Sequence, residues 1–515
     1  MLNKNILQGH EARLRIKAGI DKAADAVRPT LGPVGMTAMI EYPGLDPIEC
    51  DDGVTILKNL EFKDHYENMG VQKLRKAAIR TSQEGGDGTA TTTVLTQALI
   101  AEAFKEIAND SSKIREVRER LDAGLIDVIT QLGHIKRDVS EDDIERIASI
   151  SSLDSEVAKL IAETIKEVGI NGVITVERGS KLGYSKEVVK GARFEKGLIS
   201  PYFITDHETQ SCVLENPYIV LADRKISTNE QIKSILDSVG PGSSILFIAD
   251  DVDSVALATL CQNAARGVIN VACVRNPFNA SPAREFLFDM AALTGATVIS
   301  EEKGMRLDNA TAILCGHAEK VIVTKDTTTI IGGMAGDELQ ARVANIHGQI
   351  DESTSEYGKK MLQDRLAQLT GGIGVIRVGT YTDTEFHAKK YKFENAVNAT
   401  QAALQEGIVA GGGVALWEVA DKVKDRMFQT ALRKPFHQMV DNAGAGKVND
   451  VVTPDGNSVG LDFKSKEKIN MFNAGIIDPF KVTRLALESA TAITRDLISV
   501  ETVITVEDED GKTGK

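Results

Sequence analysis

The sequence predicts a mixed fold class in which a mainly helical part accompanies an α/β part. Three observations predict it: the chain has 515 residues, helical periodicity dominates residues 1 to about 132, and strand-like and helix-like runs alternate from about 190 to 373. A single hydrophobic core stops growing at about 250–300 residues, so a chain of this length should form more than one domain. A hydrophobic content of 42% is sufficient for packed cores.

The helical part is predicted from apolar residues that recur with helical spacing. A first amphipathic helix has an apolar face formed by Ile16, Ile20, Ala23, Ala24 and Val27. Gly32 and Pro33 follow it and should end it at a turn that exposes backbone groups. A second apolar stripe follows residue 88 and consists of Val94, Leu95, Ala98 and Ala101. Another long helix-like segment begins at about Thr384.

The α/β part is predicted from apolar runs of two kinds. The strand-like runs are Ser244–Ala249, Val268–Val274, Thr297–Ser300 and Lys320–Thr324. The helix-like runs among them include Thr228–Val239 and Val252–Arg266. Such alternation is typical of an α/β layer domain. Gly191 and the pair Gly371-Gly372 bracket this part of the chain, and we expect hinges at both places.

Composition and charge exclude several classes of function. A formal net charge of −14 and a pI near 5.3 argue against a nucleic-acid-binding protein, which needs a basic patch. No apolar run reaches the roughly 18 residues of a membrane span, and the first residues lack the apolar core of a signal peptide. The five cysteines form no Cys-x-x-Cys pair, which predicts free thiols in a reduced, cytoplasmic compartment. The eight histidines form no pair at metal-ligand spacing.

Residues 86–93, Gly-Asp-Gly-Thr-Ala-Thr-Thr-Thr, have the composition of a metal–phosphate site at the start of a helix. Gly86 and Gly88 allow the backbone to approach a phosphate closely, and the threonines offer hydroxyls and backbone amides. Asp87 supplies the hard carboxylate oxygen that Mg²⁺ prefers. Taken alone, the same residues fit a threonine-rich N-capping loop equally well.

Three further segments of this kind lie far apart in the sequence, at residues 30–35, 51–53 and 410–413. Each one alone fits an ordinary turn better than a site. Their order along the chain, together with other short motifs, matches one family. The matching motifs are Thr-Leu-Gly-Pro (30–33), Asp-Gly-Val-Thr (52–55), Glu-Asn-Met-Gly (67–70), Gly-Asp-Gly-Thr (86–89), Gly-Val-Ile-Thr-Val-Glu (172–177), Ser-Pro-Tyr-Phe (200–203), Ala-Leu-Ala-Thr-Leu (256–260), Lys-Asp-Thr-Thr-Thr-Ile-Ile (325–331), Glu-Gly-Ile-Val-Ala-Gly-Gly-Gly-Val-Ala-Leu (406–416) and Asp-Pro-Phe-Lys-Val-Thr-Arg (478–484).

Through these motifs the chain resembles the group I chaperonins, the GroEL family, over essentially its whole length. The resemblance implies a three-domain chaperonin subunit. Residues 1–132 and 406–515 would form a helical equatorial domain that binds ATP and makes ring contacts. Residues 133–189 and 374–405 would form a small intermediate hinge domain, and residues 190–373 an α/β apical domain that binds substrate proteins.

The resemblance also implies a nucleotide site for ATP with Mg²⁺ and K⁺. Asp87 would bind Mg²⁺, and Asp52 would assist hydrolysis. The nucleotide itself would contact Thr30, Leu31, Gly32, Pro33, Asp51, Asp87, Gly88, Thr89, Ala90, Thr91, Gly412 and Asp478, of which Gly412 and Asp478 would lie around the nucleoside.

One departure from the family pattern concerns hydrolysis. The family's catalytic aspartate, which follows a glutamate in the intermediate domain, is replaced by Asn395. An amide can hydrogen-bond the attacking water but cannot accept its proton, and loss of a general base costs about 10² to 10⁴ in rate. We therefore expect normal ATP binding and slow turnover, unless Glu394 or Asp52 takes over the role or the pocket is rearranged. Asp51 and Asp462 replace the family's lysine and asparagine and should add negative charge near the phosphates.

A second departure concerns the apolar face that grips unfolded proteins and a GroES-type lid. The resemblance places Leu198, Ile199, Tyr202, Phe203, Leu236 and Leu257 on this face. Lys233, Cys261 and Gln262 occupy positions that the family fills with aliphatic residues, so the face should be smaller and more polar. We expect a narrower client range or a weaker grip, and an altered or absent lid interaction. Alternatively, Leu236 and Leu257 are core-facing helix residues.

The remaining expectations concern assembly and overall role. The family forms homo-oligomeric rings of seven subunits, but the stretch after Trp417 is shorter than usual, which leaves single and double rings both open. The charged tail at 507–515 is expected to be disordered. The leading hypothesis is an ATP-dependent folding chaperonin. The alternative is an ATP-switched holdase or assembly scaffold that does not need hydrolysis.

Overall fold

The computed structural model describes residues 4–41, 47–108, 110–152, 154–169, 172–179, 181–207, 209–278, 281–333, 336–352, 362, 365–366, 369–445 and 457–506. The chain divides into two compact units. We call residues 1–162 with 383–515 the terminal unit and residues 163–382 the central unit. The three-domain division expected above remains a prediction. The charged tail at 507–515 lies outside the described residues.

The terminal unit is mainly helical. Numbered along the chain, its helices are α1 (Gly9–Val27), α2 (Gly53–Lys58), α3 (His65–Gly85), α4 (Thr89–Ile107), α5 (Ile114–Ile135), α6 (Glu141–Ser152), α12 (Asp383–Glu406), α13 (Val414–Ala420), α14 (Arg426–Ala431), α15 (Lys434–Asn442) and α16 (Phe480–Ile498). Its strands are β1 (Lys4–Gln8), β2 (Ala38–Ile40), β3 (Ile48–Cys50), β14 (Ile408–Ala410), β15 (Val459–Leu461), β16 (Lys468–Asn470), β17 (Ile477–Pro479) and β18 (Thr502–Val506). Helix α7 (Ser155–Val168) crosses from the terminal unit into the central unit.

The helices of the terminal unit form where apolar periodicity predicts them. All five residues of the predicted α1 face are buried, and α1 ends at Val27, where the 3₁₀ turn Arg28–Thr30 begins. Pro29 has no backbone N–H for a continuing helix, which explains this end. Helix α12 begins at Asp383 and confirms the helix predicted from about Thr384. These helices pack into one core with α4 and α16.

The two ends of the described chain pair with each other. Strand β1 runs antiparallel to β18, with Lys4 opposite Val506 and Gln8 opposite Thr502. Helix α16, which precedes β18, packs against α3, α4 and α5. The N-terminal and C-terminal segments therefore share one core, and motifs from both parts of the sequence lie in the same unit.

The central unit contains a large mixed sheet. Its strands are β4 (Val173–Arg178), β5 (Gly183–Phe194), β6 (Cys212–Glu215), β7 (Tyr218–Ile226), β8 (Ser244–Val252), β9 (Asn270–Arg275), β10 (Val298–Ile299), β11 (Gly316–Val323), β12 (Thr328–Gly333) and β13 (Gly372–Gly379). The strand order is β4-β13-β5-β12-β11-β7-β8-β9, with β10 beside β7 and β6 beside β11. The helices are α8 (Glu230–Val239), α9 (Ser254–Ala265), α10 (Ser281–Thr294) and α11 (Asp337–Glu352).

The α/β prediction for this part of the chain is confirmed. Each of the four predicted strands overlaps an observed strand, and both predicted helices form as α8 and α9. Strands β7, β8 and β9 are parallel. Helices α8 and α9 connect these three strands, as in other α/β units. Residues 245–249 are completely buried, as expected for a strand covered on both faces.

Gly191 lies inside a continuous strand instead of a turn. Strand β5 pairs with β13 up to Lys190 and with β12 from Gly191 onward, so the strand changes partner at this residue. A Cβ atom on Gly191 would lie 2.3 Å from Ile373 Cδ1 and 2.4 Å from the Ile330 carbonyl oxygen. Close approach of neighbouring strands accounts for the glycine here, and the hinge remains a prediction.

Candidate functional site

The loop between α3 and α4 presents a carboxylate at a helix N-terminus. Gly86 and Gly88 both have positive φ, of 82° and 91°, which favours glycine at each position. Asp87 lies between them, and its Oδ1 accepts a hydrogen bond of 2.6 Å from the backbone N–H of Gly88. Helix α4 then begins at Thr89, so its free N–H groups and positive dipole end lie beside Asp87. This is the geometry of an anion-binding helix start.

The turn at Asp52 lies directly beside this loop. Asp52 caps α2, because its Oδ2 accepts a hydrogen bond of 2.6 Å from the Thr55 N–H. The next residue, Gly53, is buried against Thr89, and a Cβ atom there would lie 2.9 Å from Thr89 Cγ2. Desolvation by the surrounding protein raises the pKa of Asp87, and the charge of Asp52 raises it further, against the opposing hydrogen bond from Gly88. Solvent still reaches the Asp87 side chain.

Asp478 comes to the same place from the C-terminal part of the chain. Strands β14 and β17 pair with Val409 opposite Asp478. The glycine-rich loop follows β14, and a Cβ atom on Gly411 would lie 3.1 Å from Asp478 Oδ1. Burial, and then the negative charge of Asp87, raise the pKa of Asp478 to about 7. The two carboxylates therefore lie near enough to each other to interact electrostatically.

The segment at residues 30–33 approaches the first turns of α4. Leu31 is buried in a small apolar cluster with Val94 and Met439, while Thr30 is half-buried and Pro33 exposed. Gly32 has a φ of 93° and leaves no room for a side chain beside Met439. Ala90 packs against the same cluster.

Asn442 fixes this segment, and sequence reasoning missed it. Its Nδ2 donates hydrogen bonds to the backbone oxygens of Arg28, at 2.9 Å, and Leu31, at 2.8 Å. No local sequence signal connects α15 with a turn more than 400 residues earlier. Residues 30–33 and the loops at Asp52, Asp87 and Gly411 are four loops of the terminal unit. Ala90 and Thr91 are half-buried in the first turn of α4, and Gly412 has a φ of 62° at the start of α13.

The donor set fits Mg²⁺ bound together with phosphate oxygens. Among the described residues, no Lys or Arg forms an ion pair with Asp87 or Asp478, so their negative charge is uncompensated. The described part of the chain also contains no group of three or more His, Cys, Asp or Glu side chains arranged to hold a metal. Mg²⁺ in nucleotide sites is usually bound by one or two carboxylates and by substrate phosphates. Asp87 has the accessibility that this role requires.

Asn395 lies on α12, and this helix packs onto the same loops. A Cβ atom on Gly86 would lie 2.4 Å from the backbone nitrogen of Ala399, one turn after Asn395. Asn395 is half-buried, and its side chain lies beside the hydroxyl of Tyr391. Glu394 forms an ion pair of 3.7 Å with Lys390 on its own helix. Asn395 is therefore near the site in this structure, while Glu394 is engaged along α12.

The two other departures from the family pattern, Asp51 and Asp462, have different surroundings. Asp51 is exposed next to Asp52. The side chain of Asp462 closes its own turn, and its added negative charge near the phosphates remains a prediction. Its Oδ1 accepts from the Lys464 N–H at 3.0 Å, and its Oδ2 accepts from the Ser465 hydroxyl at 2.7 Å. Although desolvation opposes them, these hydrogen bonds hold the pKa of Asp462 below its usual value.

Some residues of the predicted client-binding loop are exposed, and others are buried. Tyr202 is 75% exposed, whereas Phe203 is only 1% exposed. The prediction that Phe203 lies on an exposed apolar face is therefore wrong for this structure. Residues 201–203 form a 3₁₀ turn capped by Ser200, and this turn directs the two rings to opposite sides. Leu198 and Ile199 are half-buried, and the Ile199 N–H donates to the Cys273 oxygen at 3.0 Å.

Helices α8 and α9 present a mixed surface. Leu236 and Leu257 are half-buried and pack against the core of the central unit, which leaves both interpretations of them open. Lys233 and Gln262 are exposed, as expected for a more polar face. Cys261 is half-buried, with its Sγ 3.6 Å from Ser200 Oγ.

Two exposed aliphatic residues near this surface were missed by sequence reasoning. Ile313 is 91% exposed and Val255 is 56% exposed. The neighbouring Ala312 N–H donates to Ser238 Oγ at 2.9 Å, which places Ile313 beside the end of α8. An isolated isoleucine in a 3₁₀ turn carries no periodicity, so no sequence signal identifies it. None of the helices in the described part of the chain has the length and apolar character needed to cross a membrane.

Comparison with known proteins identifies the family and the fold of the chain. The sequence model of the TCP-1/cpn60 chaperonin family matches residues 23–508. Among solved structures, the chain is similar to the chaperonin gp146 from the bacteriophage EL 2 (Pseudomonas aeruginosa), crystallised in the presence of ATP-BeFx. Crystal form II matches with a TM-score of 0.72 and 21% identity over 99% of this chain and 100% of that chain. Crystal form I matches with a TM-score of 0.65 and 21% identity over 98% and 99%. The predicted fold class, a multi-domain chaperonin subunit, is confirmed, and the chain belongs to the TCP-1/cpn60 chaperonin family.

Proposed function

We propose that this chain is a group I-like chaperonin subunit that binds ATP and promotes folding of unfolded proteins in a ring cavity. The observation that carries the nucleotide part is the position of Asp87. Its carboxylate has no ion-pair partner among the described residues, lies at the N-terminus of α4, and interacts electrostatically with Asp52 and Asp478. Such a site favours a divalent cation with phosphate groups over either ligand alone.

The comparisons support ATP as the nucleotide. The similar phage chaperonin was crystallised with ATP-BeFx, although at 21% identity the likeness concerns the fold. In this chain, Asp87 would hold Mg²⁺, residues 30–33 and 88–91 would contact the phosphates, and Gly412 and Asp478 would border the nucleoside. We include K⁺ as a second cation only because of the family resemblance.

Slow hydrolysis is the second part of the proposal. Asn395 is half-buried near the loops, where the family places an aspartate, and Glu394 is paired with Lys390. Asp52 is another carboxylate near this helix. Both of its oxygens already accept hydrogen bonds from protein groups. A missing general base costs about 10² to 10⁴ in rate, or roughly 3 to 5 kcal/mol of activation free energy.

Ring assembly and client binding are supported by exposed apolar residues in both units. In the terminal unit, Met39 is 70% exposed on the β2–β3 hairpin and Ile6 is 62% exposed on β1. In the central unit, Tyr202, Val255 and Ile313 are exposed. Exposed apolar groups mark surfaces that bind other proteins where they form a contiguous patch. We propose a seven-membered homo-oligomer in the cytoplasm, with unfolded proteins as clients and a weakened GroES-type lid interaction.

A holdase or assembly scaffold is the second candidate function. Two observations favour it. The Asn395 amide cannot act as a general base for hydrolysis. The proposed client face contains the exposed polar residues Lys233 and Gln262, while Phe203 is buried. In that case ATP binding alone would switch client binding. The two functions differ in whether captured protein regains activity. A denatured enzyme would recover activity with ATP in the first case, and would stay soluble but inactive in the second.

Titration calorimetry of the full chain with ATP and Mg²⁺ tests the nucleotide site. Asp87→Asn should weaken Mg²⁺-dependent ATP binding at least tenfold, because a carboxylate ligand of the cation is lost. Asp237→Asn is the matched control and should change affinity less than twofold, since Asp237 is exposed on α8 in the central unit. Equal effects of both substitutions, or no ATP binding by the natural chain, would contradict the proposal.

A further inference from the structure

The hydroxyl of Tyr391 connects three elements at the candidate site. It donates a hydrogen bond of 3.2 Å to Asp52 Oδ1, in the turn before α2. The side chains of Ser82 on α3 and of Asn395, one turn further along α12, lie beside the same hydroxyl. Tyr391 is half-buried, and Ser82 is 9% exposed, so these contacts are largely shielded from water. Neither the sequence motifs nor the proposed ATPase assigns a role to this tyrosine.

The surroundings keep this hydroxyl protonated. Burial raises the pKa of Tyr391, and the negative charge of Asp52 raises it further. The neighbouring side chains of Ser82 and Asn395 act in the opposite direction but do not cancel this rise. A protonated hydroxyl has one hydrogen to donate. The hydroxyl donates this hydrogen to Asp52, because an ionised carboxylate is the strongest acceptor nearby.

The hydrogen bond from Tyr391 engages Asp52, which we consider the carboxylate best placed to replace the missing general base. Asp52 Oδ2 already accepts the Thr55 N–H, and Oδ1 accepts the Tyr391 hydroxyl. Each carboxylate oxygen has two lone-pair positions, so the hydroxyl reduces the positions open to an attacking water without removing them all. A restraint of moderate size, not complete inhibition, is the expected consequence.

We propose that Tyr391 is a positioning residue that holds Asn395 and α12 against Asp52 and thereby restrains ATP turnover. The inference rests on the proposed ATPase function. The hydroxyl acts through Asp52 and is not itself a group that takes part in bond breaking. When it is removed, Asp52 Oδ1 becomes available to orient the water, and hydrolysis should accelerate.

Tyr391→Phe tests this directly, because phenylalanine keeps the ring and its packing and removes only the hydroxyl. In steady-state phosphate release with Mg²⁺ and K⁺, kcat should rise about tenfold while KM for ATP stays within twofold. Tyr66→Phe is the matched control. The Tyr66 hydroxyl contacts Thr505 at 3.4 Å and lies in the first turn of α3, far along that helix from Ser82. It should leave both constants unchanged.

Three outcomes separate the inference from the proposed function. A fall in kcat or an unchanged kcat in Tyr391→Phe, with normal Mg-ATP binding, would overturn the restraint alone. Failure of the natural chain to bind Mg-ATP in the calorimetric assay would overturn both. Tyr391→Leu provides a second variant without a hydroxyl, and the restraint predicts the same rise in kcat. A rise in kcat accompanied by an equal rise in KM would indicate loosened packing instead of a released Asp52.

Discussion

A Cβ atom on Gly86 would lie 2.4 Å from the backbone nitrogen of Ala399, so α12 packs directly on the turn that precedes Asp87. Gly86 also has a φ of 82°, in the left-handed region that favours glycine. The helix that carries Tyr391 and Asn395 is thus positioned by a backbone contact as well as by hydrogen bonds. Any side chain at residue 86 must displace either the turn or the helix.

Gly86→Ala should lower the free energy of unfolding by about 2–4 kcal/mol, through left-handed strain together with overpacking. Urea denaturation measures this change. Gly133→Ala is the matched control, because nothing lies within 4 Å of a Cβ atom at Gly133, inside α5. Alanine there should be neutral or stabilising by about 0.5–1 kcal/mol. A Gly86→Ala protein as stable as the natural chain would show that α12 does not pack on this turn.

Tyr202 and Phe203 should separate client binding from stability. Tyr202→Ala removes a ring that is 75% exposed, so client capture should fall severalfold while the free energy of unfolding changes by less than about 0.5 kcal/mol. Phe203→Ala opens a cavity in the core and should cost about 3–5 kcal/mol. Light scattering of an aggregating denatured protein measures capture, and urea denaturation measures stability. Unchanged capture by a folded Tyr202→Ala protein would exclude this ring from the client face.

Because His437 is partly buried, we expect the protein to lose stability in acid. The Nε2 of His437 is buried and has no hydrogen-bond partner among the described residues, and the His437 ring lies 5.1 Å from that of Trp417. Burial, followed by the positive charge of Lys434, lowers the pKa of His437 in the folded chain. The unfolded chain therefore binds the proton more readily, and the stabilising contribution of neutral His437, present above about pH 6.5, is lost as the pH falls below that value.

The corresponding experiment compares urea denaturation of the natural chain and His437→Gln between pH 7.5 and 5.5. The natural chain should lose more stability across this range than the variant, because glutamine does not titrate. Parallel pH profiles for the two proteins would show that His437 does not carry the effect.

Much of the fold follows from local sequence signals. The apolar face of α1, the alternating strands and helices of the central unit, and the start of α12 were predicted from periodicity alone. These elements bury one face or both, so their spacing in the sequence reflects the core directly. The loops around Asp87 were found by the order of short motifs, since each loop alone resembles an ordinary turn.

The remaining features depend on contacts between distant segments. The Tyr391 hydroxyl reaches Asp52 across 339 residues of sequence, and Asn442 reaches Leu31 across 411. Tyr202 and Phe203 are adjacent and equally aromatic, yet the 3₁₀ turn exposes one and buries the other. Periodicity does not encode such choices, because tertiary packing decides them after the local elements have formed.

The most direct test of the central claim is steady-state phosphate release by the natural chain and by Asn395→Asp, with Mg²⁺ and K⁺ at saturating ATP. We expect very slow phosphate release by the natural chain. The rate should increase about a hundredfold when a carboxylate replaces the amide. Calorimetry should show similar ATP affinity for the two proteins. Equal rates at equal affinity would contradict the account, because another carboxylate would then already serve as the base.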